Sequence, residues 1–184
     1  MKRNSTKLIT LLGVMTALAY ILYFLELPVG FIFPAAPFLK IDFSDIPAIL
    51  VGLSVGPLAG VVVELFKNIL HFIFLMKEPA GSGEIANFAA GVSYLIPVIL
   101  LARKDFTAKK YIPAMVLGTL CMVVTLSFVN YYITLPLYGI TNHAIKLGMI
   151  YSTFAPFNMI KGIVISIVIV LLYPRLRSVL KKFA

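Results

Sequence analysis

Residues 154–174 read FAPFNMIKGIVISIVIVLLYP, and Arg175 and Arg177 follow immediately. One charge, Lys161, interrupts a stretch long enough to cross about 30 Å of hydrocarbon, which takes roughly 20 helical residues. It reads as a transmembrane helix closed by a basic flank. Four more stretches of the same kind precede it, at about 6–25, 57–76, 84–102 and 111–136. A sixth, about 44–55, is shorter and reads as a short or tilted helix. Ser44 or Asp45 is its expected N-cap, with Pro47 accommodated in the first turn. The expected fold is all-α and integral to a membrane: six transmembrane helices in a single domain over 1–184.

Composition agrees. Of 184 residues, 61% are hydrophobic and 12% charged, with a mean hydropathy of +1.02. A soluble domain carries roughly 45–50% apolar and about 25% charged residues, so the surplus apolar surface must face lipid. The start, Met1-Lys2-Arg3-Asn4-Ser5-Thr6-Lys7, resembles the front of a signal peptide. Its apolar run continues to about Leu25 without a small-residue cleavage site, and a retained helix is expected. A single cysteine, Cys121, rules out an internal disulfide.

The formal charge of +9 does not point to nucleic acid, because the basic residues fall in short clusters between apolar runs. Lys2, Arg3 and Lys7 precede the first helix. Arg103, Lys104, Lys109 and Lys110 separate the fourth and fifth, and Arg175, Arg177, Lys181 and Lys182 follow the sixth. With six helices these eleven share one side, against Lys40, Lys77 and Lys146 on the other. The positive-inside rule then places both termini in the cytoplasm. Glu26, Asp42, Asp45, Glu78 and Glu84 gather in or beside the outer loops. The first outer loop, ELPVGFIFPAAPFLKI at 26–41, is too apolar for a solvated linker and is expected to fold back as a cap.

No phosphate-binding Gly-rich loop, paired-histidine zinc motif, nucleophile elbow or cysteine cluster is present. Neither His71 nor His143 is arranged as a metal ligand, so no catalytic, metal or cofactor role is assigned. Polar residues within apolar helices carry more information, because each is costly to bury in lipid. Glu64, Lys67, Asn68 and His71 share one face of the third helix by their spacing; a self-satisfied Glu64–Lys67 pair is the simplest reading. Asn130 stands near the outer end of the fifth helix beside Tyr131 and Tyr132. Asn158 and Lys161 lie one turn apart on the sixth, with outward snorkelling of Lys161 as the alternative. Glu84 and Asn87 open the fourth. With Lys40 and Asp42 of the loop they form an outer ring of directional polar groups, and Phe38, Leu39, Tyr131 and Tyr132 supply apolar or aromatic area beside it, suited to a flat heterocycle with a polyhydroxy tail. Gly52, Gly56 and Gly60, and separately Gly13 and Ala17, mark close helix packing.

Four stretches resemble the substrate-binding S components of energy-coupling factor (ECF) vitamin transporters, nearest to the riboflavin-specific members. They are FLKIDFSDIPAILVGLSVGPLAGVVVELFKNILH at 38–71, GSGEIANFAAG at 81–91, NYYITLPLYG at 130–139 and FAPFNMIKG at 154–162. The resemblance implies six helices, cytoplasmic termini and riboflavin (or its phosphate, FMN) held by the first loop and the last three helices. Carried over by position, Asn130 and the Asn158-x-x-Lys161 motif contact ligand, joined by Leu39, Lys40, Asp42, Glu84 and Asn87. It also implies a coupling transmembrane subunit and two ATPases as partners. Docking would use an Ala-x-x-x-Ala pattern on the first helix, where Gly13 replaces the first alanine and Ala17 keeps the second. An S component for another vitamin and a self-sufficient proton-coupled carrier using Glu64 and Lys67 are the competing readings.

Overall fold

The computed structural model describes residues 5–183. Its helices are α1 (Ser5–Tyr23), α2 (Asp45–Val55), α3 (Pro57–Leu75), α4 (Ser82–Ala102), α5 (Ala108–Val129), α6 (Leu135–Leu137), α7 (His143–Met149) and α8 (Ala155–Leu180). A π-turn at Asn130–Thr134 fuses α5 to α6, and another at Ile150–Phe154 fuses α7 to α8. Among the described residues there are therefore five helical spans long and apolar enough to cross a membrane, plus the short α2. The six expected segments are all present.

Their bounds differ instructively. The first helix stops at Tyr23 rather than 25, and the fifth begins at Ala108. The last begins at His143 and not at 154, so Lys146, expected in a loop, lies on a helix that projects beyond the apolar run. Polar helical turns give no hydropathy signal, which is why that extension is invisible in composition. Ser44 occupies the N-cap position of α2 but makes no capping bond; its hydroxyl donates to Asp42 instead.

Both π-turns have a covalent cause. Pro136 and Pro156 each stand two residues beyond a π-turn. A proline has no N–H to give, and its ring clashes with the carbonyl four residues back. The chain slips to wider i→i−5 bonds, seen from the Leu135 amide to Asn130 and from Ala155 to Ile150.

With 11 residues α2 is about 16 Å long, half a bilayer core. It has no lipid-facing side, because all its residues are buried among α1, α3, α4 and α8. Gly56, at φ 143°, turns the chain into α3 in a backbone region that side chains disfavour. Four residues on, a β-carbon at Gly60 would stand 2.8 Å from the Ala48 carbonyl, so the α2–α3 hairpin needs glycine there. Arg103 donates to the Val55 carbonyl at 2.6 Å, closing the end of α2.

The 24–44 segment packs back over the bundle as expected of so apolar a loop. Leu27–Pro28 (β1) pairs antiparallel with Lys40–Ile41 (β2). Val29, Phe33 and Ile41 cluster on Phe157, and Phe38 stacks on Tyr138 with centroids 4.7 Å apart.

Candidate functional site

A cavity of about 120 Å³ lies beneath this loop, between α4, the α5–α6 junction and the start of α8. Seven of the expected residues line it: Leu39, Lys40, Asp42, Asn87, Asn130, Asn158 and Lys161. Residues from four separate stretches of sequence are thus gathered at one end of the bundle. Each π-turn contributes to the wall. The first begins with Asn130 and ends with Thr134; the second ends with Phe154, one turn before Asn158.

Glu84 corrects the expectation. It is buried off the cavity wall, 2.7 Å from His71 Nδ1, and His71 in turn stacks on Tyr23 at 3.9 Å. Glu84 therefore supports the ring that backs Tyr23, which does line the cavity. Tyr131 and Tyr132 are also elsewhere. The Tyr131 hydroxyl meets His143 at 2.6 Å, and Tyr132 is 68% exposed. Adjacency in sequence suggested them, but residues one and two positions along a helix do not share its face.

Lys161 does not snorkel. It is 4% exposed, with its ammonium 3.1 Å from Asp45 Oδ2 and 3.4 Å from Asp42 Oδ2. Asp42 is held further by the Ser44 amide at 2.9 Å and Asn87 Nδ2 at 3.0 Å. Behind it, Lys67 is fully buried; it binds Asp45, donates to Ser44 Oγ at 2.7 Å and pairs with Glu64 at 2.6 Å. The expected Glu64–Lys67 pair is present, but as one end of a chain of charges that runs through Asp45 to the cavity. Buried ions persist only when paired and hydrogen-bonded in this way.

The remaining wall splits by chemistry. Asn130 and Asn158 are buried in the wall, at 2% and 3% exposure. The Asn87 Oδ1 and Thr134 Oγ1 atoms beside them are buried without a partner. A buried amide without a partner costs about 1–3 kcal/mol, so these groups are poised for polar atoms entering the cavity. Tyr23, Phe38, Phe154 and Phe157 add flat apolar area. At the mouth, Lys40 meets Glu26 at 2.5 Å. Burial, reinforced by the nearby Glu78 carboxylate, raises the Tyr138 phenol above its ordinary pKa and keeps it a neutral donor. Phe154, Phe157 and Tyr138 were not singled out from sequence; the prolines that reshape their helices were the available signal.

Gly13 and Ala17 lie far from this site in sequence and on an exposed face of α1. A β-carbon at Gly13 would meet nothing within 4 Å.

A polytopic helical membrane protein with a polar, aromatic-lined cavity under a folded loop at one end belongs to the class that captures small molecules within the membrane. Comparison narrows the class. The family model for the ECF transporter, substrate-specific component, matches residues 7–173, and the chain belongs to that family. It is 39% identical to the riboflavin transporter RibU of Staphylococcus aureus, over 98% of this chain and 95% of that protein. It is 38% identical to the riboflavin transporter FmnP of Bacillus subtilis, over 93% and 92%. A solved S component of a bacterial ECF transporter superposes with a TM-score of 0.80 at 38% identity, covering 97% of this chain and 99% of that one.

Proposed function

We propose that this chain is the riboflavin-binding membrane subunit of an ATP-driven vitamin importer in a prokaryotic plasma membrane. It captures substrate from the outer side and works with an ECF coupling transmembrane subunit and two ATPases. It acts as a binding subunit rather than an enzyme. Both termini face the cytoplasm, following the basic clusters at 103–110 and 175–182. The observation that carries the reading is the row of wall amides, Asn87, Asn130 and Asn158, set among Tyr23, Phe38 and Phe157, with the Asn87 Oδ1 buried and unpartnered. Such a wall offers hydrogen bonds to the ring edge and ribityl hydroxyls of a flavin and apolar contact to its faces. The relatives named for riboflavin support the same ligand.

The cavity is smaller than the roughly 300–1,000 Å³ of drug-sized sites. Binding therefore moves the 24–44 loop outward, breaking the half-buried Lys40–Glu26 contact rather than the buried ion pairs. Charge then selects among flavins. Glu26, Asp42 and Glu78 face Lys40 and Lys161 on the wall, one carboxylate in excess. A phosphate ester adds about −1.5 to −2 charges at neutral pH, so the neutral vitamin is preferred to FMN.

The test is titration of purified protein, followed by quenching of flavin fluorescence. Riboflavin is expected to saturate it at one site, with FMN weaker by about tenfold or more, equivalent to about 1.4 kcal/mol. Failure of riboflavin to bind would overturn the reading. Equal affinity for FMN would overturn the charge argument alone. Orientation is checked by a Cys121→Ser chain carrying either Lys104→Cys or Thr141→Cys. An impermeant thiol reagent on intact cells should label only position 141.

A further inference from the structure

A second concavity, of about 480 Å³, lies between α5 and α8, away from the flavin cavity and from α1. Its walls are almost wholly apolar. Met115, Val116 and Leu120 face Met159, Ile163 and Ile167, and Ser166 is occupied by Tyr94 and the Gly162 carbonyl, both at 2.7 Å. The two helices touch at Thr119 and Gly162, where an added β-carbon would stand 2.5 Å from Thr119 Oγ1. From Leu120 to Tyr111 the groove runs about 14 Å, the depth of one leaflet.

Its far end is basic. Lys109 stands three residues before Ile112 and seven before Val116, on the groove face of α5. On α8, Arg175 donates to the carbonyl of Leu171, a groove residue, at 3.1 Å. Both cations are exposed. An apolar trough one leaflet deep that ends between two cations matches one chemistry: an acyl chain joined to an anionic headgroup. We propose that this groove is a binding site for an anionic phospholipid, its chain between α5 and α8 and its phosphate between Lys109 and Arg175.

The chain has no tryptophan, so one introduced residue reports alone. Ile167→Trp places it in the groove. Leu100→Trp is the control, on an exposed face of α4. Gly118 meets Tyr94 and Val98 while Gly162 meets Thr119, which puts positions 100 and 167 at the same depth. Each variant is reconstituted in phosphatidylcholine vesicles with a tenth of the lipid replaced by phosphatidylglycerol or phosphatidylcholine brominated on the acyl chains. In the Ile167→Trp variant, brominated phosphatidylglycerol is expected to quench the indole at least about twofold more than brominated phosphatidylcholine. In the Leu100→Trp variant the ratio should be near one. Adding Lys109→Gln and Arg175→Gln should reduce the ratio at 167 to that at 100. Ile112→Phe, which fills the groove and leaves its charges, should do the same, and it carries the test if the double variant is misfolded by circular dichroism. Equal quenching by the two lipids at 167 overturns the proposal and leaves the groove to bulk lipid or a partner helix. An unchanged ratio in the folded variants overturns it as well.

Discussion

Two lysines lie in the interior of the bundle, Lys67 on α3 and Lys161 on α8, and they share one carboxylate, Asp45. Lys67 has 0% exposure and spends its donors on Asp45, Glu64 and Ser44. Lys161 is nearly as buried, but its surroundings open on the cavity, and its contacts to Asp42 and Asp45 are longer, at 3.4 and 3.1 Å. The same ion in the same bundle thus serves two ends. Close contacts on all sides make Lys67 a structural clasp between α2 and α3. Looser contacts beside a cavity set Lys161 apart as the lysine that the proposed function assigns to the ligand. Geometry separates the two, since residue type and hydropathy do not.

That contrast is open to attack, and the largest effect is expected at Lys67. Lys67→Met strands buried carboxylates, a loss of about 3–5 kcal/mol, visible as a large fall in the thermal unfolding midpoint in detergent. Adding Glu64→Gln should recover part of it by removing one stranded charge. If Lys67→Met melts no lower than Lys161→Met, the distinction between clasp and ligand group fails.

Lys161→Met should melt closer to the parent protein, because water in the cavity can reach Asp42. Its riboflavin affinity should fall roughly 10–150-fold, the loss of a charged hydrogen bond of about 1.5–3 kcal/mol. Asn130→Ala and Asn158→Ala remove neutral bonds of about 0.5–1.5 kcal/mol, or roughly 2–10-fold in affinity. Fluorescence titration ranks all three, and undiminished affinity in the asparagine variants would remove them from the site. Glu84→Gln sharpens the comparison from the other side. It touches His71 and not the cavity, so its affinity should stay within about twofold. The smallest effect on binding is expected at Gly13→Leu and Ala17→Leu. These variants should titrate normally yet fail to co-purify with the coupling subunit, because a bulky side chain on the open face of α1 holds a partner helix away.

The ring of site residues shows how far a linear reading reaches. Asn130, Asn158, Lys161 and Asn87 stood out because polar groups are rare and costly in apolar helices, and Asp42 because it closes the apolar first loop. Glu84 satisfied the same criterion and belongs elsewhere, since burial cost says that a partner exists without saying which. His71, thirteen residues earlier on another helix, supplies that partner. Tyr131 was placed by adjacency alone, and a residue one position along a helix points about 100° away; its hydroxyl meets His143 instead.

Apolar run length set how many helical segments to expect, because the hydrocarbon core constrains every stretch of chain independently of its neighbours, and the placement of basic residues gave the expected orientation. The tertiary structure alone decided that α2 is buried on every side within the bundle, that one carboxylate serves two lysines, and that the last helix extends past its apolar run to His143. Each of these depends on which surfaces meet across the bundle. Burial and ion pairing are properties of such contacts, and residues as far apart as Asp42 and Lys161 acquire them only when the helices pack.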